Sequence, residues 1–143
     1  MEAKTWPDAV IGEVLGSYEK EITEKQTGPY IKAIGDNNPW FSKDSPFGGP
    51  IVNPLMFGDE YVKLYFDYGN YSRNEGTLHS RTEHENYGVL KIGSRVKVSG
   101  CIADKFTKRG RRGLVIEVNV ADDKGKPVST TKITLVSIKV YPE

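Results

Sequence analysis

Asp36 and Asn38 stand two residues apart in the run Ile34-Gly35-Asp36-Asn37-Asn38-Pro39-Trp40-Phe41, the chain's foremost candidate for acid/base chemistry. A carboxylate held in an ordered loop can take up and return a proton beside a reacting carbon. The same residue types also build an Asx turn, in which the aspartate only braces the backbone. Phe41 ends the run and cannot transfer a proton. His79 and His84 are the two imidazoles of the chain, and imidazole titrates near neutral pH without perturbation. Their spacing predicts opposite faces of a strand, so at most one faces inward. A polar strand position is the simpler reading of each. No companion cysteine or carboxylate cluster sits at ligand spacing, so no metal site is expected. Lys108, Arg109, Arg111 and Arg112 form one dense basic run. It is either a solvated hairpin tip or a landing site for phosphate, which Arg forks grip with paired hydrogen bonds. Gly48 and Gly49 let backbone approach a ligand closely, or only turn a loop.

These residues need elements to hold them. Thr23 can cap a short helix in which Tyr30, Ile31 and Ile34 fall on one face, with Gly28-Pro29 interrupting it early and Gly35 stopping it. The first third of the chain otherwise reads as loop. From Asp36 to Pro54, Asn, Pro, Gly, Ser and Asp predominate, and ordered loops of that length are usually functional. Asn53 then caps a second helix with Pro54 at its first position. Leu55, Met56, Phe57, Tyr61, Val62, Leu64, Tyr65 and Phe66 lie nearly all round it, which predicts burial on most sides. The second half reads as strands over 77–87, 95–106, 114–120 and 126–141, with a parity slip near Gly100 that suggests a bulge. The basic run and Asp122-Asp123-Lys124-Gly125 supply the hairpin turns. One buried helix followed by an antiparallel meander is an α+β layer. A cystatin-like cone or a small lipid-binding barrel shares this outline.

The bulk numbers narrow the classes. A length of 143 residues suits a single domain over 1–143. Charged residues make up 27% and hydrophobic ones 37%, a globular rather than disordered balance. A formal net charge of +1 gives no global attraction to nucleic acid or an anionic membrane, so neither is an expected partner. Cys101 is the single cysteine, which excludes an intramolecular disulfide framework. The opening Met-Glu-Ala-Lys-Thr-Trp-Pro-Asp does not read as a signal peptide, and no apolar run approaches ~20 residues. A cytoplasmic location is the expectation.

The order of helix, Gly35-Asp36-x-Asn38-Pro39, Gly48-Gly49-Pro50-Ile51-Val52-Asn53-Pro54 and buried helix resembles the MaoC-like hydratase/dehydratase family of the hot-dog fold. Leu78-His79 with Glu83, Leu90-Lys91-Ile92-Gly93, and Lys108-Arg109-Gly110 before Val115-x-Glu117 resemble the family's later strands and turns. The similarity is to dehydratases built from two hot dogs, of which one half carries the catalytic pair. In that family the motif's aspartate and histidine form a dyad that adds water to a 2-enoyl thioester or removes it from a 3-hydroxyacyl thioester. A backbone N–H at the start of the central helix polarises the thioester carbonyl.

Carried over residue by residue, Asp36 matches the dyad carboxylate and Asn38 the motif amide, while Phe41 takes the histidine position. The helix start is Asn53-Pro54, and Pro54 has no N–H, so an oxyanion donor falls to Leu55 or to another loop. The resemblance therefore implies a hot-dog subunit of an acyl-thioester hydratase/dehydratase, a lyase of fatty-acid metabolism. It shapes the acyl-CoA site while a partner hot dog supplies the Asp/His dyad, in a homo- or hetero-oligomer. Implied substrate contacts are Asn38, Gly48, Gly49, Asn53, Leu55, Lys108, Arg109, Arg111 and Arg112. Coenzyme A or an acyl-carrier thioester enters as substrate carrier, with no separate cofactor. The alternatives are a self-sufficient hydratase or thioesterase using Asp36, and a non-catalytic acyl-CoA-binding module.

Overall fold

The computed structural model describes residues 2–142. Five strands, β1 (Val14–Glu21), β2 (Thr77–Asn86), β3 (Arg95–Lys108), β4 (Arg111–Asp122) and β5 (Pro127–Ser137), form one antiparallel sheet in the order β1-β3-β4-β5-β2. Alternation along the three middle strands turns Val96, Val98, Ile102, Ile116, Val118, Val120, Ile133 and Leu135 to one buried face. A central helix over residues 54–68 packs there through Phe57, Leu64 and Tyr65. Gly100 makes the approach possible, because a Cβ at that position would stand 2.8 Å from Leu64 Cδ1. The α+β architecture expected from the pattern of elements is the one the chain adopts.

The first third holds a strand the pattern does not announce. β1 sinks Leu15 into the core and sets Tyr18 and Lys20 inward against exposed Ser17 and Glu19, so much of its inner side is polar. The Tyr18 hydroxyl and Lys20 Nζ both bond the Glu60 carboxylate of the central helix. An edge strand stabilised this way lacks the apolar alternation by which strands are recognised.

The helix α1 (Glu24–Ile34) runs through Gly28-Pro29 without interruption. Pro29 removes one backbone bond, but Lys25, Gly28 and Pro29 are exposed, so water serves the freed carbonyl. The central helix is composite rather than a plain α-helix. A 3-10 segment (Pro54–Asp59) leads through one α-helical turn (Glu60–Val62, here α2) into a π-helical segment (Lys63–Tyr68). The wider last turn lets Tyr65 stack on Tyr71 at 4.5 Å and Tyr68 on Tyr18 at 5.4 Å between ring centroids. Near Gly100 the register does slip: Leu15 of β1 is the surplus residue opposite Gly100 and Cys101, and Ala103 of β3 is surplus against β4. β5 ends at Ser137, short of the expected 141.

Candidate functional site

The end of α1 sets Asp36. Gly35 N–H donates to Lys32 O and Asp36 N–H to Ile31 O, the paired bonds of a Schellman ending. The Asp36 carboxylate then points back into its own loop. Its Oδ1 accepts from Asn38 N–H at 2.9 Å and its Oδ2 from Asn53 Nδ2 at 3.3 Å. Asn38 Oδ1 accepts in turn from Trp40 N–H, and Asn53 Oδ1 from Leu55 N–H at 3.0 Å. Asn53 is buried. The motif is thus a chain of caps joining the end of α1 to the start of the central helix, with the Leu55 N–H already engaged.

Beside it lies a cavity of about 270 Å³, lined by the exposed Asn38 and Trp40 and walled by Phe41, Val52, Phe57, Leu90 and Val128. A short antiparallel pairing of Ile51 with Lys91 forms one wall, held by Val52 N–H to Leu90 O and Ile92 N–H to Pro50 O. Ile51 N–H also donates to Trp40 O at 2.8 Å, which fixes the turn Pro39–Phe41 against that wall. Asn86 and Gly88 close the cavity from the end of β2, where Asn86 Nδ2 donates to Gly88 O. Val128 is the extra residue of a bulge on β5, and a bulge re-aims its side chain. Among the described residues no carboxylate, imidazole, thiol or amine lines this cavity. Asn86, Val89 and Val128 were not singled out in the sequence, and Leu90 entered only within the stretch Leu90-Lys91-Ile92-Gly93 that carried the resemblance. They are ordinary strand-end residues, and only the break at Gly88 hints that the chain leaves the sheet there.

His79 and His84 do not lie on opposite faces. Ser80 is a bulge residue, so His79 pairs with Leu135 and His84 with Thr131, both buried inner-face positions. The bulge cancels the parity that a spacing of five implies. His79 meets Tyr61 of the central helix edge-on at 5.5 Å and Thr82 Oγ1 through Nε2. His84 Nδ1 bonds Thr131 Oγ1, its Nε2 is buried without a partner, and burial pulls its pKa below the ordinary value. Neither ring lines the cavity.

No known protein family's profile matches this sequence, and no curated protein matches it either. Solved structures do. The unliganded R-hydratase PhaJ1 from Pseudomonas aeruginosa superposes with a TM-score of 0.71 at 17% identity, over 96% of this chain and 85% of that one. The HadBC (3R-hydroxyacyl-ACP dehydratase) complex from Mycobacterium tuberculosis gives 0.70 at 12% identity, over 83% and 90%. A hot-dog-like protein from Thermanaerovibrio acidaminovorans gives 0.62 at 14% identity, over 92% and 84%. The fold is the hot dog. At these identities the fold is what is shared.

Within this hot dog the basic run is not part of the cavity. The turn is only Arg109-Gly110, both at positive φ, so Arg111 and Arg112 belong to β4 rather than to the tip. Arg111 Nη1 donates to the carbonyls of Ser137 and Ile138. The Arg112 guanidinium lies 3.7 Å from the Tyr141 ring centroid and 5.1 Å from that of Trp6. Lys108 and Arg109 are exposed. Val128 sits beside the rung of Ala121 and Lys97, so the turn lies about 35 Å away along β3. Gly48 and Gly49 are spent inside their loop, where Gly49 N–H donates to Asp44 Oδ1 and Gly49 O accepts from Ser45 Oγ. Of the sequence candidates, the structure brings Asp36, Asn38, Asn53 and Leu55 together. The two glycines and four basic residues stand apart from them. Among the described residues no cluster of His, Cys, Asp or Glu could hold a metal, and no helix is long and apolar enough to cross a membrane.

Proposed function

We propose that this chain is an acyl-thioester-binding subunit of a MaoC-like hydratase/dehydratase, in which a second hot-dog chain carries the working Asp/His pair. One observation carries this reading. The apolar cavity lies against the motif, yet no lining side chain can gain or lose a proton near neutral pH. Hydration of an enoyl thioester needs proton transfer at carbon and an oxyanion donor. Phe41 stands in the cavity at the motif's histidine position, both oxygens of Asp36 already accept hydrogen bonds, and the Leu55 N–H is held by Asn53. That leaves a shaped acyl site without chemistry of its own. Two-chain assembly also fits the fold, because β2 is an edge strand with almost every side chain exposed. The HadBC neighbour is itself a complex. The substrate carrier is coenzyme A or an acyl-carrier protein, and the compartment is the cytoplasm.

The test is a hydration assay on the purified chain, and on the assembly that co-purifies with it from its native cell. The chain alone is expected to leave crotonyl-CoA and longer enoyl-CoA substrates unhydrated, whereas the assembly turns them over. Enzymatic rates from the isolated chain, abolished by Asp36→Ala, would overturn the proposal in favour of a self-sufficient enzyme.

A further inference from the structure

A second cavity of about 190 Å³ lies on the far side of Phe41, lined by Glu24, Thr27, Ile31, Pro50 and Ile92. Among the described residues Phe41 alone lines both. The two cavities follow the same wall. The Val52–Leu90 pair flanks the first and the Pro50–Ile92 pair the second, two residues further along the Ile51–Lys91 pairing. Alternate residues of an extended chain share a face, and two steps span ~6.6 Å. Thr27, which is 1% exposed, and Ile31 of α1 line its helix side.

We propose that the two cavities are one groove for a straight apolar chain, and that Phe41 is the partition that sets the chain length admitted. This rests on the acyl-thioester reading above and adds the residue that limits the acyl group. An acyl chain enters past Asn38 and Trp40, runs along Val52 and Leu90, and stops at the Phe41 ring. The space beyond, beside Pro50 and Ile92, is closed to it. A large aromatic at this position therefore does steric work.

The experiment measures binding of saturated acyl-CoAs from butyryl to palmitoyl to the full chain, read by Trp40 fluorescence and by calorimetry. A parallel series uses the free fatty acids. Each buried methylene is expected to tighten binding roughly fourfold, up to the length at which the chain meets Phe41, where the gain stops. In Phe41→Ala the gain continues for several more carbons. Phe41→Leu, which preserves an apolar wall, moves the limit part of the way. Ile92→Trp in the Phe41→Ala background fills the second cavity and restores the original limit. An unchanged limit in both Phe41 variants, with melting temperatures showing them folded, overturns the partition. So does a longer limit that Ile92→Trp leaves in place. If fatty acids show the shift and no acyl-CoA binds, the partition stands and the thioester reading falls.

Discussion

Replacing Asn53 by alanine tests whether the motif braces the fold or performs chemistry. Asn53 is 6% exposed and joins two elements: its Oδ1 caps Leu55 N–H at 3.0 Å and its Nδ2 reaches Asp36 Oδ2 at 3.3 Å. Losing the cap costs about 1 kcal/mol. Losing the bond to the Asp36 carboxylate costs about 1 kcal/mol more, reduced from the usual charged-bond value because the carboxylate is half-exposed and the bond long. A total of about 2 kcal/mol corresponds to a fall in melting temperature of roughly 7 °C for a domain of this size. Asp36→Ala removes the same bond from the other side, so the double variant should destabilise by less than the sum, with a coupling of about 0.5–1 kcal/mol. Asp36→Asn keeps the bond from Asn38 N–H but sets an amide nitrogen against Asn53 Nδ2, so it falls between wild type and Asp36→Ala. Thermal and urea unfolding of wild type and the four variants measure all of this. The bracing argument is refuted if Asn53→Ala melts within about 1 °C of wild type and the coupling is nil, while Asp36→Asn abolishes turnover by the assembly.

Two further outcomes follow from packing and titration. Gly100→Ala places a Cβ 2.8 Å from Leu64 Cδ1 and 3.2 Å from the Glu117 carbonyl oxygen. It should cost about 1–3 kcal/mol in unfolding experiments, with a smaller loss when Leu64→Val is already present. Burial lowers the pKa of His84 from its ordinary 6.5, so below pH 6.5 the unfolded chain binds a proton that the folded chain resists. Stability should therefore be unaffected by this group above that pH and should fall as pH drops through the folded-state value. His84→Asn should flatten that part of the stability-against-pH curve.

The middle of the sheet was legible because β4 turns Leu114, Ile116, Val118 and Val120 inward at every second position, β3 does so with Val96, Val98 and Ile102, and β5 is rich in β-branched residues. β1 was hidden for the opposite reason. As an edge strand it meets Glu60 and Lys63 with Tyr18 and Lys20, and a polar inner face leaves no apolar period to read. The start of the central helix was visible in Asn53-Pro54, since capping is local chemistry. Its change from 3-10 through α to π spacing was not, because ring stacking with Tyr71 and Tyr18 decides it from outside the segment. The same division holds at the site. Asp36, Asn38 and Asn53 stood out by type, and both the turn-bracing and the catalytic reading of Asp36 were available. Only geometry shows both its oxygens in use. The cavity walls come from residues 38–57, 86–90 and 128, separated stretches that no local motif connects. The histidines misled because alternation assumes a regular strand, and Ser80 is one residue too many for it.

That extra residue bears on how such a chain can change over time. Ser80 has no partner of its own across β5, and Thr77–His79 pair on one side of it as Arg81–Asn86 do on the other. Losing Ser80 would join the two stretches into a regular strand with His79 and His84 still facing the helix. An insertion or deletion here is absorbed locally, whereas elsewhere in a strand a single added residue turns every side chain beyond it to the wrong face. β1, β3 and β5 each carry such a surplus residue, at Leu15, Ala103 and Val128. The sheet thus has four places at which strand length can drift while its inner face is preserved. Relatives can differ in length along these strands and still enclose the same cavity, which makes alignment by residue count a poor guide to which side chains correspond.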